Sequence, residues 1–154
     1  MAGLFFDTSG IVKRYVQETG SIWVNALTSA TARNTLYIVR LTMVEVASAV
    51  TRRVRNGSIA PADGMLVLSY FHRDVSHRYR LIGVTPRLIV SAATLAQRHG
   101  LRGFDAVQLA AGLTANRQRL ARRLSGITFI SADKALLTAA TAEGLIVEDP
   151  NTHP

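Results

Sequence analysis

The chain of 154 residues is long enough to bury a hydrophobic core, and no break in composition divides it. It has no cysteine, which excludes disulfides, thiolate zinc sites and cysteine nucleophiles. Although 48% of the residues are hydrophobic, no apolar run approaches transmembrane length, and Asp7 interrupts the short apolar run near the start. We therefore expect a single domain over residues 1–154, located in the cytoplasm.

The net charge is +8, and all but two of the 18 basic residues are arginine. The guanidinium fork matches phosphate oxygens, so this bias suits a polyanionic partner. An arginine bias from a GC-rich genome, with the charges merely solvated, would give the same composition. The positions of four acidic residues favour a polyanion, because they lie beside apolar runs rather than on polar faces. These residues are Asp7, Glu45, Asp105 and Asp133.

Short apolar runs alternate with helical patterns along the chain. The predicted strands are residues 4–6, 36–39, 79–84, 127–130 and 145–147. The predicted helices are 10–16 with Thr8 or Ser9 as cap, 21–30, 42–55, one opening near Pro61, 86–99, 104–113 with a continuation through 117–123 as the alternative, and 134–143. Such alternation predicts βαβ crossovers, and hence a three-layer α/β/α sandwich around a mostly parallel sheet.

The four acidic residues fall at the ends of predicted elements. Asp7 follows the first strand, Asp133 follows the fourth, and Glu45 and Asp105 lie in the first turns of helices. A parallel sheet gathers functional groups at the carboxyl ends of its strands. Clustered carboxylates repel one another and hold either a proton or a cation, and oxygen-only ligands favour Mg²⁺ or Mn²⁺. Such a site is suited to phosphodiester hydrolysis.

Each carboxylate taken alone could instead be a helix cap. Asp7 and Asp133 stand where N-cap residues stand, and Thr42 with Glu45 has the spacing of a capping box, in which Glu45 reaches back to the Thr42 amide. Asp105 with Gln108 could form a capping box in the same way. Because helix caps are common, a capping role is the better interpretation for any one of these residues taken alone. The four residues together favour a shared acidic site.

Four segments resemble the motifs of PIN domains, and most closely those of VapC-type toxins. They are FDTSGIVK at 6–13, TMVEVA at 42–47, LRGFDAVQLA at 101–110 and FISADKAL at 129–136. Their order and spacing also resemble the family, over residues 4–149.

This resemblance implies a Mg²⁺- or Mn²⁺-dependent endoribonuclease, a toxin neutralised by a VapB-like antitoxin that can push a basic side chain into the acidic pocket. By position, Asp7 and Asp105 would hold the metal, and Glu45 and Asp133 would complete the catalytic pocket. Thr8 and Ser131 would orient carboxylates or waters at the cofactor. The resemblance also implies a homodimer, and no membrane partner is expected.

Two other functions remain open at this stage. One is a catalytically inert PIN-like module that binds RNA or protein without cleaving RNA. A site that has lost its activity, however, has no physical reason to keep four like charges together. The other is a phosphoacceptor domain, which needs adjacent acids after the first strand and an Asp after the third. This chain has Asp7 alone, and Val84-Thr85 contains no acid.

The segment 116–125 is longer and more basic than the family pattern. We hypothesise that Arg117, Arg119, Arg122 and Arg123 form a strip that contacts backbone phosphates, whereas a solvated helical extension would have the same sequence.

Overall fold

The computed structural model describes residues 1–154, with five strands, seven α-helices and three short 3₁₀ turns. The strands are β1 (Gly3–Phe6), β2 (Thr35–Val39), β3 (Tyr79–Ile82), β4 (Ile127–Ile130) and β5 (Ile146–Glu148). The helices are α1 (Thr8–Ile11), α2 (Ser21–Thr28), α3 (Thr42–Arg55), α4 (Pro61–His77), α5 (Pro86–His99), α6 (Gly103–Ala121) and α7 (Lys134–Ala142). None of these helices combines the length and the apolar character needed to cross a bilayer.

The strands form one sheet of order β3-β2-β1-β4-β5, and every neighbouring pair is parallel. β1 lies at the centre, where Leu4 pairs with Leu36 of β2 and Phe5 pairs with Phe129 of β4. Parallel neighbours require crossovers, which the intervening helices supply. The predicted α/β/α sandwich around a parallel sheet is therefore confirmed.

Each face of the sheet carries its own hydrophobic core. On one face, Phe5 and Phe129 stack with ring centroids 5.3 Å apart beneath α5, α6 and α7. α6 packs closely there because Gly112 has no side chain, and a Cβ at that position would lie 2.7 Å from the Phe129 ring. On the other face, Phe6 and Ile130 pack with residues of α1 to α4. The alternation of side chains along β1 thus serves both cores.

Several predicted boundaries are wrong by a few residues. The predicted helix 10–16 is instead α1, which ends at Ile11 and passes into a 3₁₀ turn, Val12–Arg14. Its cap is Asp7 rather than Thr8 or Ser9. α2 ends at Thr28 instead of residue 30, β3 ends two residues early, and β5 is shifted by one residue. For α6, the alternative of a helix that continues into the basic segment is confirmed, and the helix ends at Ala121.

The carboxyl ends of the central strands bring four chain segments to one edge of the sheet. Asp7 directly follows β1, and Ser131 directly follows β4, its hydrogen-bonded neighbour. α3 begins three residues after β2, which is the other neighbour of β1. The start of α6 lies over the same edge, where it completes the pocket described next.

Candidate active site

Asp7 lies at the carboxyl end of β1 and is only 4% exposed. Its Oδ1 accepts a hydrogen bond of 2.8 Å from the Gly10 amide, so the predicted alternative of an N-cap is confirmed for this residue. Burial raises the pKa of Asp7 from 3.8 to about 6. Hydrogen bonds from Ser131, Gly10 and Ser9 lower the pKa again, and the nearby charge of Glu45 raises it. Burial thus disfavours the charged form of Asp7, and the three hydrogen bonds partly offset this effect.

Two serine hydroxyls hold Asp7 between β1 and β4. Ser131 donates to Oδ2 at 2.7 Å, and Ser9 lies 2.8 and 2.9 Å from the two oxygens. The Ser9 hydroxyl accepts from the Ala132 amide and the Ser131 hydroxyl from the Asp133 amide, which fixes both side chains. A carboxylate offers about four acceptor positions, and Gly10, Ser131 and one bond from Ser9 occupy three of them. One position remains for another ligand.

Glu45 projects from the first turn of α3 towards α1 and α6. Its Oε1 accepts from the Thr8 hydroxyl at 2.8 Å and from Gln108 Nε2 at 2.7 Å. It does not bond the Thr42 amide, so the predicted capping box is wrong. Thr42 is itself the first residue of α3, and its hydroxyl lies 3.2 Å from Gln108 Nε2. The predicted N-terminal motif of α3 therefore serves a tertiary network instead of the helix end.

Gln108 is the residue of this site that the sequence did not single out as functional. It is 2% exposed, and its Nε2 also lies 3.1 Å from the Thr8 hydroxyl, so one amide links α1, α3 and α6. Its Oε1 is buried without a hydrogen-bond partner. A signal was present, since Gln108 is the one polar residue in the apolar run from Ala106 to Ala111. A polar side chain on the buried face of a helix needs such partners.

Asp105 and Asp133 stand nearer the surface than Asp7. Partial burial raises the pKa of Asp105, and the charges of Asp133 and Glu45 raise it further, while Arg102 opposes them. Asp133 caps α7 by accepting from the Leu136 amide at 3.1 Å, so a capping role is confirmed for this residue as well. The effect of Asp133 and Glu45 on Asp105 reports mutual repulsion among carboxylates that lie close together.

All four predicted carboxylates line one pocket of about 280 Å³ at the carboxyl edge of the sheet. Thr8, Ser9 and Gln108 share its wall, whereas Ser131 is fully buried behind Asp7. The expected convergence is thus present, while the catalytic and metal-binding roles of these residues stay predictions.

Two arginines also line this pocket, and the sequence did not predict them. Arg52 and Arg53 lie on α3, about two turns beyond Glu45. Arg53 forms an ion pair with Glu18, and Arg52 donates to the Ser48 hydroxyl at 2.8 Å. Helical spacing places residues seven and eight positions apart on one face, so this periodicity could have revealed them. The pocket therefore combines acidic groups with a cationic rim.

The donor set of the pocket suits a hard divalent cation because every ligand is an oxygen. No three acidic or histidine side chains of this structure converge closely enough to form a metal-binding group. Mg²⁺ nevertheless commonly binds one or two carboxylates and keeps several waters. Asp105, whose pKa shift involves no hydrogen bond, and the open position on Asp7 fit that kind of ligation.

Comparison with known proteins supports the resemblance to VapC-type toxins. No family model matches the chain. It is 29% identical to "Ribonuclease VapC45" of Mycobacterium tuberculosis over 98% of both chains. PAE2754 from Pyrobaculum aerophilum superposes with a TM-score of 0.65 at 17% identity, over 99% of this chain and 86% of that one. VapBC2 from Rickettsia felis was solved with a DNA fragment of its promoter. It superposes with a TM-score of 0.63 at 16% sequence identity, over 96% of this chain and 98% of that one.

The α/β fold built on the parallel sheet of order β3-β2-β1-β4-β5 is shared with PAE2754 and VapBC2, and it is the fold implied by the resemblance to PIN domains. Within that class, the resemblance to VapC-type toxins seen in the four sequence motifs is confirmed by a relative of that name that matches nearly the whole chain.

Proposed function

We propose that this protein is a metal-dependent endoribonuclease of the VapC type, a toxin that hydrolyses phosphodiester bonds of RNA. The observation that carries the proposal is the convergence of Asp7, Glu45, Asp105 and Asp133 on one polar pocket. The name of the ribonuclease VapC45 supports the same activity. An inert binding module is disfavoured, because mutual repulsion in the pocket costs stability that only a ligand would offset.

In this proposal Asp7 and Asp105 hold Mg²⁺ or Mn²⁺, and Glu45 and Asp133 complete the acidic wall. A bound ion of this kind polarises a phosphoryl oxygen and lowers the pKa of a water. Ser131 and Ser9 fix the orientation of Asp7.

On the opposite side, Thr8 and Gln108 fix Glu45 in the same manner. Arg52 and Arg53 rim the pocket, where a guanidinium can bind the non-bridging oxygens of the scissile phosphate. These side chains hold the substrate and the carboxylates in register, which is a large part of catalysis at a phosphoryl centre.

We also propose that a VapB-like antitoxin neutralises the protein by placing a basic side chain among the carboxylates. A toxin-antitoxin complex from Klebsiella pneumoniae, which is similar to this chain in fold, supports a partner of this kind. A homodimer is part of the same proposal.

Metal dependence is tested by stripping the protein with EDTA and then adding MgCl₂ or MnCl₂. We expect cleavage of RNA only after the addition. An ion at about 100 times its dissociation constant stabilises the folded state by about 2.7 kcal/mol. For a chain of this size we expect a rise in melting temperature of roughly 5–10 °C. Full cleavage in EDTA, or an unchanged melting temperature with either ion, would contradict the proposal.

Gln108 is expected to be a positioning residue for Glu45. Gln108→Leu keeps a similar volume but removes the donor to Glu45 Oε1, so we expect a loss of about 10–100-fold in activity or Mg²⁺ affinity. The matched control is Gln97→Leu, an exposed glutamine on α5. Metal affinity from the Mg²⁺-dependent melting shift separates positioning from simple destabilisation. Equal affinities in the two variants would exclude this role.

A further inference from the structure

A second groove runs along the edge strand β3, separate from the acidic pocket. It consists of two adjoining depressions of about 370 and 350 Å³ that share Leu81, Ile82 and Gln118. The first reaches the carboxyl end of β3 at Gly83, and the second reaches Thr35 at the amino end of β2. The groove therefore extends along the length of the sheet, between its edge and α6.

Arginines from three elements line this groove. Arg80 of β3, Arg87 of α5, and Arg117 and Arg122 at the end of α6 are all exposed, and none of the four forms a salt bridge. No acidic residue lines either half of the groove. Four positive charges without a salt-bridge partner along one concave surface create a field that attracts an anionic ligand.

The structure also corrects the arginine strip expected from the sequence. Arg119 is 4% exposed, and its guanidinium donates to the Ser125 carbonyl at 2.8 Å, so it serves the fold. Arg123 ends the helical segment with a φ of 60° and does not line the groove. Arg117 and Arg122 are thus joined by Arg80 and Arg87, which are distant in sequence.

We propose that this groove binds the phosphodiester backbone of the RNA substrate outside the cleavage pocket. Its polar lining includes the hydroxyls of Thr85 and Ser91, which are neutral groups that phosphate contacts commonly use beside arginine. The centre of a protein interface is instead depleted of charge. The elongated shape and the four guanidinium groups fit several successive phosphates better than one anion.

The groove begins at the sheet edge that holds the acidic pocket, and it leads away from it. Arg117 lies twelve residues beyond Asp105 on α6, roughly 18 Å at the rise of an α-helix. A strand cut in the pocket would therefore need a flanking segment to occupy the groove. This inference rests on the proposed function in taking RNA as the ligand, but it can be measured without cleavage.

The test is the salt dependence of RNA binding in EDTA. The probe is a fluorescent single-stranded RNA of mixed sequence and about 20 nucleotides, longer than the usual site size of a single-strand binding fold. The groove variant is Arg80→Gln/Arg87→Gln/Arg117→Gln/Arg122→Gln. The control variant removes the same charge from four exposed arginines that form no salt bridge and do not line the groove, and it is Arg33→Gln/Arg40→Gln/Arg55→Gln/Arg123→Gln.

Each phosphate contact contributes about 0.7 to the slope of log affinity against log salt for a single strand. We expect the groove variant to lose roughly 3 from this slope and the control to lose less than about 1. Equal losses in the two variants, or no loss in the groove variant, would overturn the proposal. If the quadruple variant does not fold, the pairs Arg80/Arg122 and Arg87/Arg117 are each expected to lose about 1.4.

A polyglutamate peptide tests the other class of partner. Groove-dependent binding of this peptide combined with an unchanged RNA slope would assign the groove to an acidic protein and overturn the RNA proposal. The outcome is independent of the nuclease activity. Cleavage with Mg²⁺ but no groove-dependent slope defeats this inference alone, whereas a groove-dependent slope without cleavage defeats the proposed function alone.

Discussion

Replacing Asp105 with asparagine is expected to lower RNA cleavage by about 100-fold or more while the fold stays intact. Asp105 lines the acidic pocket and is partly exposed, and no hydrogen bond contributes to its raised pKa, so its oxygens are available to an ion. Asparagine keeps the shape and removes the charge. Because Asp133 and Glu45 repel the native carboxylate, the substitution should not reduce stability. The measurement is single-turnover cleavage of one labelled RNA at fixed Mg²⁺.

Asp63 provides the matched control for this variant. It is an exposed aspartate in the first turn of α4 and so shares the helix position of Asp105 without facing the pocket. We expect Asp63→Asn to cleave at the wild-type rate. If Asp105→Asn also cleaved at that rate, the activity would come from a contaminating nuclease or from another site.

The order of strands and helices follows from the sequence because the relevant signals are local. The apolar runs of β2 and β4 are bounded by polar turns, and Pro86 and Gly100 mark the two ends of α5. The start of the first helix was mispredicted because Asp7, Thr8 and Ser9 are neighbouring candidates for its cap. Asp7 is buried at the end of β1, where it can accept from the Gly10 amide, and it therefore begins the helix before Thr8 or Ser9 could cap it.

The candidate site was predictable in its acidic residues but not in its supporting contacts. A parallel sheet brings strand ends together, so the position of each carboxylate at an element end was sufficient to expect one pocket. The bond from Gln108 to Glu45 spans 63 residues, and that of Ser131 to Asp7 spans 124. Contacts of this range depend on helix placement and side-chain direction, which no local pattern specifies.

The grouping of arginines on the surface also could not be predicted from their proximity in the sequence. Four arginines close together in sequence predicted one strip, yet α6 turns Arg119 into the fold and leaves Arg117 facing the groove. The exposed partners Arg80 and Arg87 come from β3 and α5. A helical surface is defined by spacing along the helix and by neighbouring elements, so sequence proximity alone overstates which charges act together.

Asp7→Asn is expected to stabilise the metal-free protein at neutral pH and not at acidic pH. The pKa of Asp7 is raised from 3.8 to about 6, chiefly by burial. Below about pH 4 the carboxyl is protonated in both the folded and the unfolded chain, so its burial costs nothing extra. Between pH 4 and 6 the unfolded chain releases the proton first, and stability falls as pH rises. Above pH 6 the cost is about 3 kcal/mol.

Asparagine carries no charge at any pH and avoids this cost. The free energy of unfolding of Asp7→Asn relative to wild type should therefore rise by about 3 kcal/mol between pH 4 and pH 7.5 in EDTA. Urea denaturation at several pH values gives this difference. If the difference in free energy of unfolding did not change with pH across that range, burial would not raise the pKa of Asp7 as stated.

A second buried aspartate makes the test specific to the acidic pocket. Asp74 is 1% exposed, but Arg14 Nε lies 2.9 Å from its Oδ2, the Tyr15 hydroxyl lies 2.8 Å away, and Arg78 is nearby. Asp74→Asn removes the anion from a buried ion pair and is expected to destabilise the protein by about 3–5 kcal/mol at neutral pH. The two substitutions are thus expected to change the free energy of unfolding in opposite directions, because the two carboxylates have different surroundings. Asp74 has cationic partners, whereas Asp7 faces Glu45, and EDTA removes any cation that would offset the charge of Asp7.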